Sequence, residues 1–286
     1  MKIGITGARG FIGGHVARLA REHGHEVIAF SRHPGPADRH FSTDAPPDLS
    51  DLDAIVHLAG ESIMGLWTPA KKRRIRDSRV EGTRRLVEAL NADPGAPRIF
   101  VSGSAIGYYG DTGEREVTES SPAGEGFLAE VAAAWEAEAA RATKARVTFI
   151  RTGFVLGPDG GAMRLIAPVF RFGLGGPLGN GRQWMSCIHV DDVAGLILHA
   201  IEQESVRGPL NAVLPAPLRN ADFTRAVARA VHRPAILPAP AFALKIGLGE
   251  LSHLLLDSQR VRPEATLASG YAFHHPTIED ALAATV

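Results

Sequence analysis

The chain has 286 residues, 45% hydrophobic and 22% charged, an ordinary globular composition in a chain long enough to bury a sizeable core as one large domain or two interlocked ones. Lys+Arg and Asp+Glu each number 31, so no global field recruits nucleic acid or anionic lipid. The single cysteine, Cys187, excludes an intramolecular disulfide and reads as a small buried apolar residue, and no apolar run reaches the length of a membrane span.

Ile3 and Ile5 mark a short apolar strand beginning at residue 2, which sets the expectation of a cytoplasmic protein without a secretory leader. The strand runs into Gly7, Gly10 and Gly13, and Val16, Leu19 and Ala20 follow at helical spacing. A buried strand, a tight turn and a helix N-terminus together make an anion site, because the turn needs residues without a Cβ and the helix dipole favours negative charge. This turn predicts a dinucleotide site, with Phe11 and Ile12 beside the three glycines. Gly24 closes the helix near His23, and residues 25–30 predict a second strand. About 20 residues past the glycines, an NAD site places an Asp or Glu for the ribose hydroxyls. Here Ser31 and Arg32 stand there, and Arg9 lies within the turn. Two guanidiniums at those positions suit a 2′-phosphate, so the residues predict NADP(H) over NAD.

Residues 33–52, rich in Pro, Asp and Ser, read as a loop, and residues 53–60 as a strand whose end, Leu58-Ala59-Gly60, is small or apolar enough for close passage of a cofactor. Thr68 and Pro69 predict the cap and first position of a helix reaching about Leu90. Its basic run, residues 71–76, reads as a solvated face and not as a nucleic-acid surface. Ile75, Arg79, Gly82, Leu86 and Leu90 share one stripe, so Arg79 sits on the apolar face and needs a partner, either a carboxylate or an anionic group of cofactor or substrate.

Residues 98–102 predict a strand, after which Ser104, Tyr108 and Tyr109 bring hydroxyls to the sheet's C-terminal edge. A helix is expected over 126–142 with Phe127, Val131 and Trp135 as its apolar stripe, then a strand over 146–152. A glycine-rich stretch to Gly181 predicts substrate-side loops, residues 184–190 a returning strand, and Asp191 or Asp192 the cap of a helix to about Ile201. Residues 210–213 read as a strand, Asn220 as another cap, and the tail as two or three short helices. Residues 1–155, completed by about 185–215, form the expected nucleotide-binding core, with 156–184 and 216–286 on the substrate side.

The alternation of strand and helix argues for an α/β fold with a doubly wound parallel sheet. With the glycine triplet, Leu58-Ala59-Gly60, the Ser104–Tyr109 segment, residues 151–157 and residues 188–192, the chain resembles the extended short-chain dehydrogenase/reductases, the epimerase/dehydratase superfamily. Residues 59–63, 78–83, 104–110, 135–136 and 259–263 are similar to its atypical "epimerase family protein" branch, which carries a C-terminal extension. The resemblance implies further cofactor contacts at Ser102, Thr152, Gly153 and Phe154. It also implies a Tyr and a Lys one helical turn apart, the Lys lowering the Tyr pKa. This chain offers Phe127 and Val131 at that spacing, and one residue on, Leu128 and Ala132. Neither register yields a phenol or an ammonium.

Three functions compete on these residues. An NADP(H)-dependent oxidoreductase with a replacement acid would use Tyr108 or Tyr109 as proton donor and Ser104 as hydrogen-bond partner, with Glu61 and Glu130 as weaker candidates. A non-catalytic NADP(H)-binding sensor or partner module fits the missing Tyr–Lys pair. A sugar-nucleotide epimerase has only Arg182, in its loop after Gly181, in its favour. The expected partner is a small molecule, with no metal, no nucleic acid and no membrane, for a monomer or homodimer.

Overall fold

The computed structural model describes residues 1–286. Seven parallel strands form one sheet: β1 (Lys2–Thr6), β2 (Glu26–Ser31), β3 (Arg39–His40), β4 (Ala54–His57), β5 (Ile99–Ala105), β6 (Arg146–Thr152) and β7 (Gly208–Ala212). Their order, β7-β6-β5-β4-β1-β2-β3, reverses between β1 and β4, and the crevice beyond the strand ends at such a switch point is where ligands bind in open α/β sheets.

The strands are buried on both faces, which divides the core in two. Ile3, Ile5, Val56 and Val101 face α1 (Phe11–Glu22) and the helix Val190–Glu202, whose Val16, Ala20, Ile197 and Leu198 complete that layer. Phe30, Ile55 and Phe100 face α2 (Pro69–Ala92) and α3 (Phe127–Ala139), meeting Leu86, Leu90 and Ala139. Each such aliphatic or aromatic side chain contributes about 1.5–3 kcal/mol by leaving water. A third cluster lies outside the sheet, where Met163 and Phe170 of α4 (Met163–Arg171) pack with Phe223 and Val227 of α6 (Asn220–Ala230) and with Leu282. The helix Val190–Glu202 is α5, and Ala241–Leu248 is α7.

Caps explain several boundaries. Thr68 Oγ1 accepts from the Lys71 amide at 3.2 Å, and Pro69 takes the first position of α2, as its sequence predicts. Gly24 ends α1 at φ +80°, with its own N–H on the Arg21 carbonyl and that of His25 on Ala20. Other boundaries differ from expectation. The cap of α5 is His189, whose Nδ1 accepts from the Asp191 amide at 3.3 Å; Asp191 and Asp192 lie in the first turn, where carboxylates favour the dipole. Arg219, not Asn220, is the cap of α6, because the Asn220 carboxamide is spent accepting from the Leu178 amide at 2.8 Å. The strand expected over 184–190 is two, Trp184–Met185 and Cys187–His189, since the Ser186 carbonyl turns to accept the Phe154 amide at 2.8 Å. Within the expected loop 33–52, Arg39 and His40 pair with Phe30 and Ser31 to form β3, and β5 runs on to Ala105, placing Ser102 and Ser104 inside the sheet.

The tail closes over the core. Asp192, wholly buried, accepts the amides of His274 at 2.7 Å and His275 at 3.0 Å and the Tyr271 hydroxyl at 3.1 Å. On the outer strand, Asn211 gives its N–H to Glu119 at 3.0 Å and receives the Thr266 hydroxyl on its carbonyl at 3.0 Å. No helix is long and apolar enough to cross a membrane.

Candidate functional site

The site begins where β1 ends. Gly7 turns at φ +74°, a conformation that suits glycine, and a Cβ built on Gly13 would lie 2.1 Å from the Gly7 carbonyl oxygen. A Cβ on Gly10 would approach the same oxygen at 3.2 Å. The first turn of α1, bearing Phe11 and Ile12, therefore starts against the strand end with its amides toward the crevice, and this cradle fits a dinucleotide's pyrophosphate. Phe11 enters a bed of glycines where a Cβ on Gly157, Gly160 or Gly161 would fall within 2.9 Å of its ring. A cavity of about 650 Å³ opens beside the turn and carries Arg9, Arg18 and Arg164.

Thr6 and His57 join the ends of β1 and β4. Thr6 Oγ1 accepts the amides of Leu58 at 3.2 Å and Ala59 at 3.1 Å and lies 2.7 Å from His57 Nδ1. With both accepting positions filled, the hydroxyl donates to Nδ1, so His57 carries its proton on Nε2. That Nε2 is buried without a partner. Burial, helped by the Arg79 charge, pushes the imidazole down to about 3 and keeps it neutral. Leu58 and Ala59 are thereby fixed beneath the cradle, and Gly60 stands exposed beyond them.

Arg79 lies against Gly60, where a Cβ would come 3.2 Å from the guanidinium carbon. Of the two partners open to it on sequence grounds, the carboxylate is absent: Glu61 is engaged by Lys71 at 2.7 Å and Arg74 at 3.5 Å. Arg79 instead donates to the carbonyls of Glu61 at 3.0 Å and Ile75 at 3.1 Å, with Trp135 at 5.3 Å. Desolvation lowers it to about 10, opposed by the Glu61 charge. A charged group so placed suits an anion.

The hydroxyls on β5 and the turn after it meet a different fate. Ser104 donates to Glu136 at 2.6 Å, and Arg151 grips the same carboxylate at 2.8 and 2.7 Å. Arg151 also donates to the Tyr109 hydroxyl, which in turn donates to Asn211, both at 2.8 Å. Tyr109 is 1% exposed, and burial pushes its phenol up to about 12 despite the nearby Arg151 charge. Tyr108 is half-buried, its ring stacked 3.6 Å from the Arg151 guanidinium. Ser102 is fully buried and donates to the Gly103 carbonyl at 3.1 Å. The geometry thus leaves Tyr108 as the more accessible of the two phenols, and makes Ser104 and Tyr109 members of a buried network.

Phe127 and Val131 hold the Tyr–Lys positions with apolar packing. Phe127 meets Trp67 at 5.3 Å, with the Lys72 ammonium 5.1 Å above its ring, and Val131 is buried. Glu130 is exposed on the first turn of α3. At the end of β6, Thr152 turns its hydroxyl to the Ile150 carbonyl at 3.3 Å, and a Cβ on Gly153 would lie 2.4 Å from the Ser186 oxygen. Phe154 stacks on Phe223 in the outer cluster at 5.8 Å. Arg182 is exposed beside the Arg219–Glu114 pair, whose Arg219 also donates to the Arg182 carbonyl.

One acid escapes the sequence reading. Ser31 is half-buried and Arg32 exposed at the end of β2, but Arg9 is ion-paired with Asp38, which also accepts the Gly35 amide at 2.9 Å. Counting residues beyond the glycines finds no carboxylate; the turn at Gly35 brings one back.

Residues 3–212 match the sequence profile of the NAD dependent epimerase/dehydratase family, and residues 239–285 match a domain of unknown function, DUF1731. An epimerase family protein of Mycobacterium leprae is 40% identical, the alignment covering 98% of this chain and 94% of that one. The chloroplastic SDR39U1 homologue of Arabidopsis thaliana is 37% identical, over 99% of this chain and 86% of that one. A crystal structure of human epimerase family protein SDR39U1 with NADPH superposes with a TM-score of 0.94 at 35% identity, covering 99% of this chain and 98% of that one.

Proposed function

The chain belongs to the NAD dependent epimerase/dehydratase family, and from that premise we propose that it binds NADP(H) and acts as an oxidoreductase on a small carbonyl or hydroxyl compound. The observation that carries this reading is the glycine cradle beside unpaired Arg79, supported by the NADPH in the human relative's crystal structure. Gly7, Gly10, Phe11, Ile12 and Gly13 would hold the pyrophosphate, Arg9 and Arg32 the 2′-phosphate, and Arg79 an anionic group beyond Gly60. The cofactor would supply hydride; the chain's own residues bind, orient and exclude water. Tyr108 is the donor the geometry favours, held by its stacking on Arg151. One observation favours the alternative, a binding module without chemistry: the Ser104 hydroxyl donates its hydrogen bond to Glu136, and Tyr109 lies in the same network.

Fluorescence titration with NADPH and NADH, followed by NADPH oxidation against a carbonyl panel, separates these readings. The proposal expects tighter NADPH binding and turnover that Tyr108→Phe removes while binding is retained. Equal affinities overturn the 2′-phosphate assignment, and binding without any turnover favours the module.

A further inference from the structure

Away from the cofactor crevice, two imidazoles and a carboxylate converge where α1 and α5 end. His23 Nδ1 lies 3.2 Å and His25 Nε2 3.1 Å from the same oxygen of Glu202. The sequence places them there by a local device. The left-handed Gly24 reverses the chain between the two histidines, so both rings turn toward the last residue of α5.

We propose that His23, His25 and Glu202 form a site for one divalent transition-metal ion of the zinc class, tying the C-terminal end of α1 to that of α5. The donor set is two imidazole nitrogens and one carboxylate oxygen, a combination that zinc accepts with a further position open to water. With metal–ligand bonds of about 2.0–2.1 Å, the edge of a tetrahedron is about 3.3 Å, and the two measured separations stand close to it. All three donor atoms lie within 4.8 Å of one another. The carbonyl end of α1 adds the negative end of a helix dipole, which favours a cation.

A second cluster, His189, Asp191 and His275, satisfies the same distance limit but not the electrostatics. It stands at the N-terminal end of α5, and Asp191 is already engaged by His15 at 2.9 Å and Arg18 at 3.0 Å. His189 Nδ1 is spent on the Asp191 amide. That contrast selects the first cluster.

Binding exchanges hydrogen bonds for metal bonds. Each neutral ring moves its proton from the nitrogen facing Glu202 to its other nitrogen, Nε2 in His23 and Nδ1 in His25, and the freed lone pair goes to the ion. The Met1 amine, 3.3 Å from His25 Nδ1, turns aside as that nitrogen takes a proton.

The test uses the full chain, without a polyhistidine tag and stripped with a chelator, titrated with zinc chloride and with magnesium chloride as control. Calorimetry should give one zinc ion per chain. At a hundredfold excess over Kd the Tm should rise by about 5 °C, with no response to magnesium. His25→Gln and Glu202→Gln should each weaken zinc binding at least tenfold, while His275→Gln leaves it unchanged. Circular dichroism of the stripped variants establishes that they are folded. The proposal fails if zinc gives no shift, if the shift survives His25→Gln and Glu202→Gln, or if His275→Gln abolishes it.

Discussion

Asp38 holds the guanidinium of Arg9 at the mouth of the glycine turn, through the same oxygen that accepts the Gly35 amide at 2.9 Å. The carboxylate steadies Arg9 and also competes with any phosphate for it. The Arg9 side chain is 64% exposed, so the pair is worth at most about 1 kcal/mol. Asp38→Asn is therefore expected to tighten NADPH binding about two- to fivefold and leave NADH unchanged. Arg9→Gln should reverse the preference. Weaker NADPH binding in Asp38→Asn would show that the carboxylate positions Arg9 more than it competes.

The two adjacent tyrosines should separate cleanly. Tyr109→Phe strips a buried hydroxyl from Arg151 and Asn211, leaving their groups short of a partner. A loss of about 1–3 kcal/mol in denaturant unfolding is expected. Tyr108→Phe keeps the ring stacked on Arg151 and should change stability by less than about 0.5 kcal/mol. Equal losses in the two variants would refute the division of roles.

His57 makes stability fall on the acid side. Its pKa is about 3 in the folded chain against an ordinary 6.5, chiefly through burial. The unfolded chain therefore binds the extra proton between those values, so stability drops as pH falls from about 6.5 toward 3 and gains nothing from His57 above 6.5. The total is on the order of a few kcal/mol. His57→Gln should flatten that part of the curve in guanidinium unfolding at a series of pH values. An unchanged slope would remove His57 from the acid limb.

Cys187 should be silent in the native chain. It is fully buried, and desolvation pushes the thiol up to about 12 from 9.0. The thiolate fraction falls about a thousandfold. Iodoacetamide should label it only on unfolding, and labelling of the folded protein at the rate of a free thiol would contradict the packing.

Much of the frame is legible from residues near one another in the chain. The glycine triplet, the Thr68–Pro69 start and the Ile75–Leu90 stripe all report local geometry, and Arg79 stands out because a charge interrupts that stripe. The site chemistry is less legible because it depends on distant partners. Ser104, Glu136 and Arg151 come together only when β5, α3 and β6 pack, so a hydroxyl that reads as available is already engaged. Asp38 reaches Arg9 through a loop with no periodicity to read. His189 displaces Asp191 and Asp192 as a cap because the strand before α5 ends at His189, one residue earlier than the acids suggest.

The hydrogen bonds around Asn211 bear on how these molecules behave in a crowd. β7 is the outermost strand of a parallel sheet, a ready template for a neighbour's backbone. Pro209 has no N–H to offer, and Asn211 has surrendered its N–H to Glu119 and its carbonyl to Thr266. The opposite margin, Arg39–His40, is two residues long. Glu119 and, from the C-terminal extension, Thr266 thus together occupy the groups this edge would offer to intermolecular strand addition. A chain cut before Pro263 should scatter light on standing at concentrations where the intact one stays clear, and a truncated chain that stayed clear would deny the extension that task.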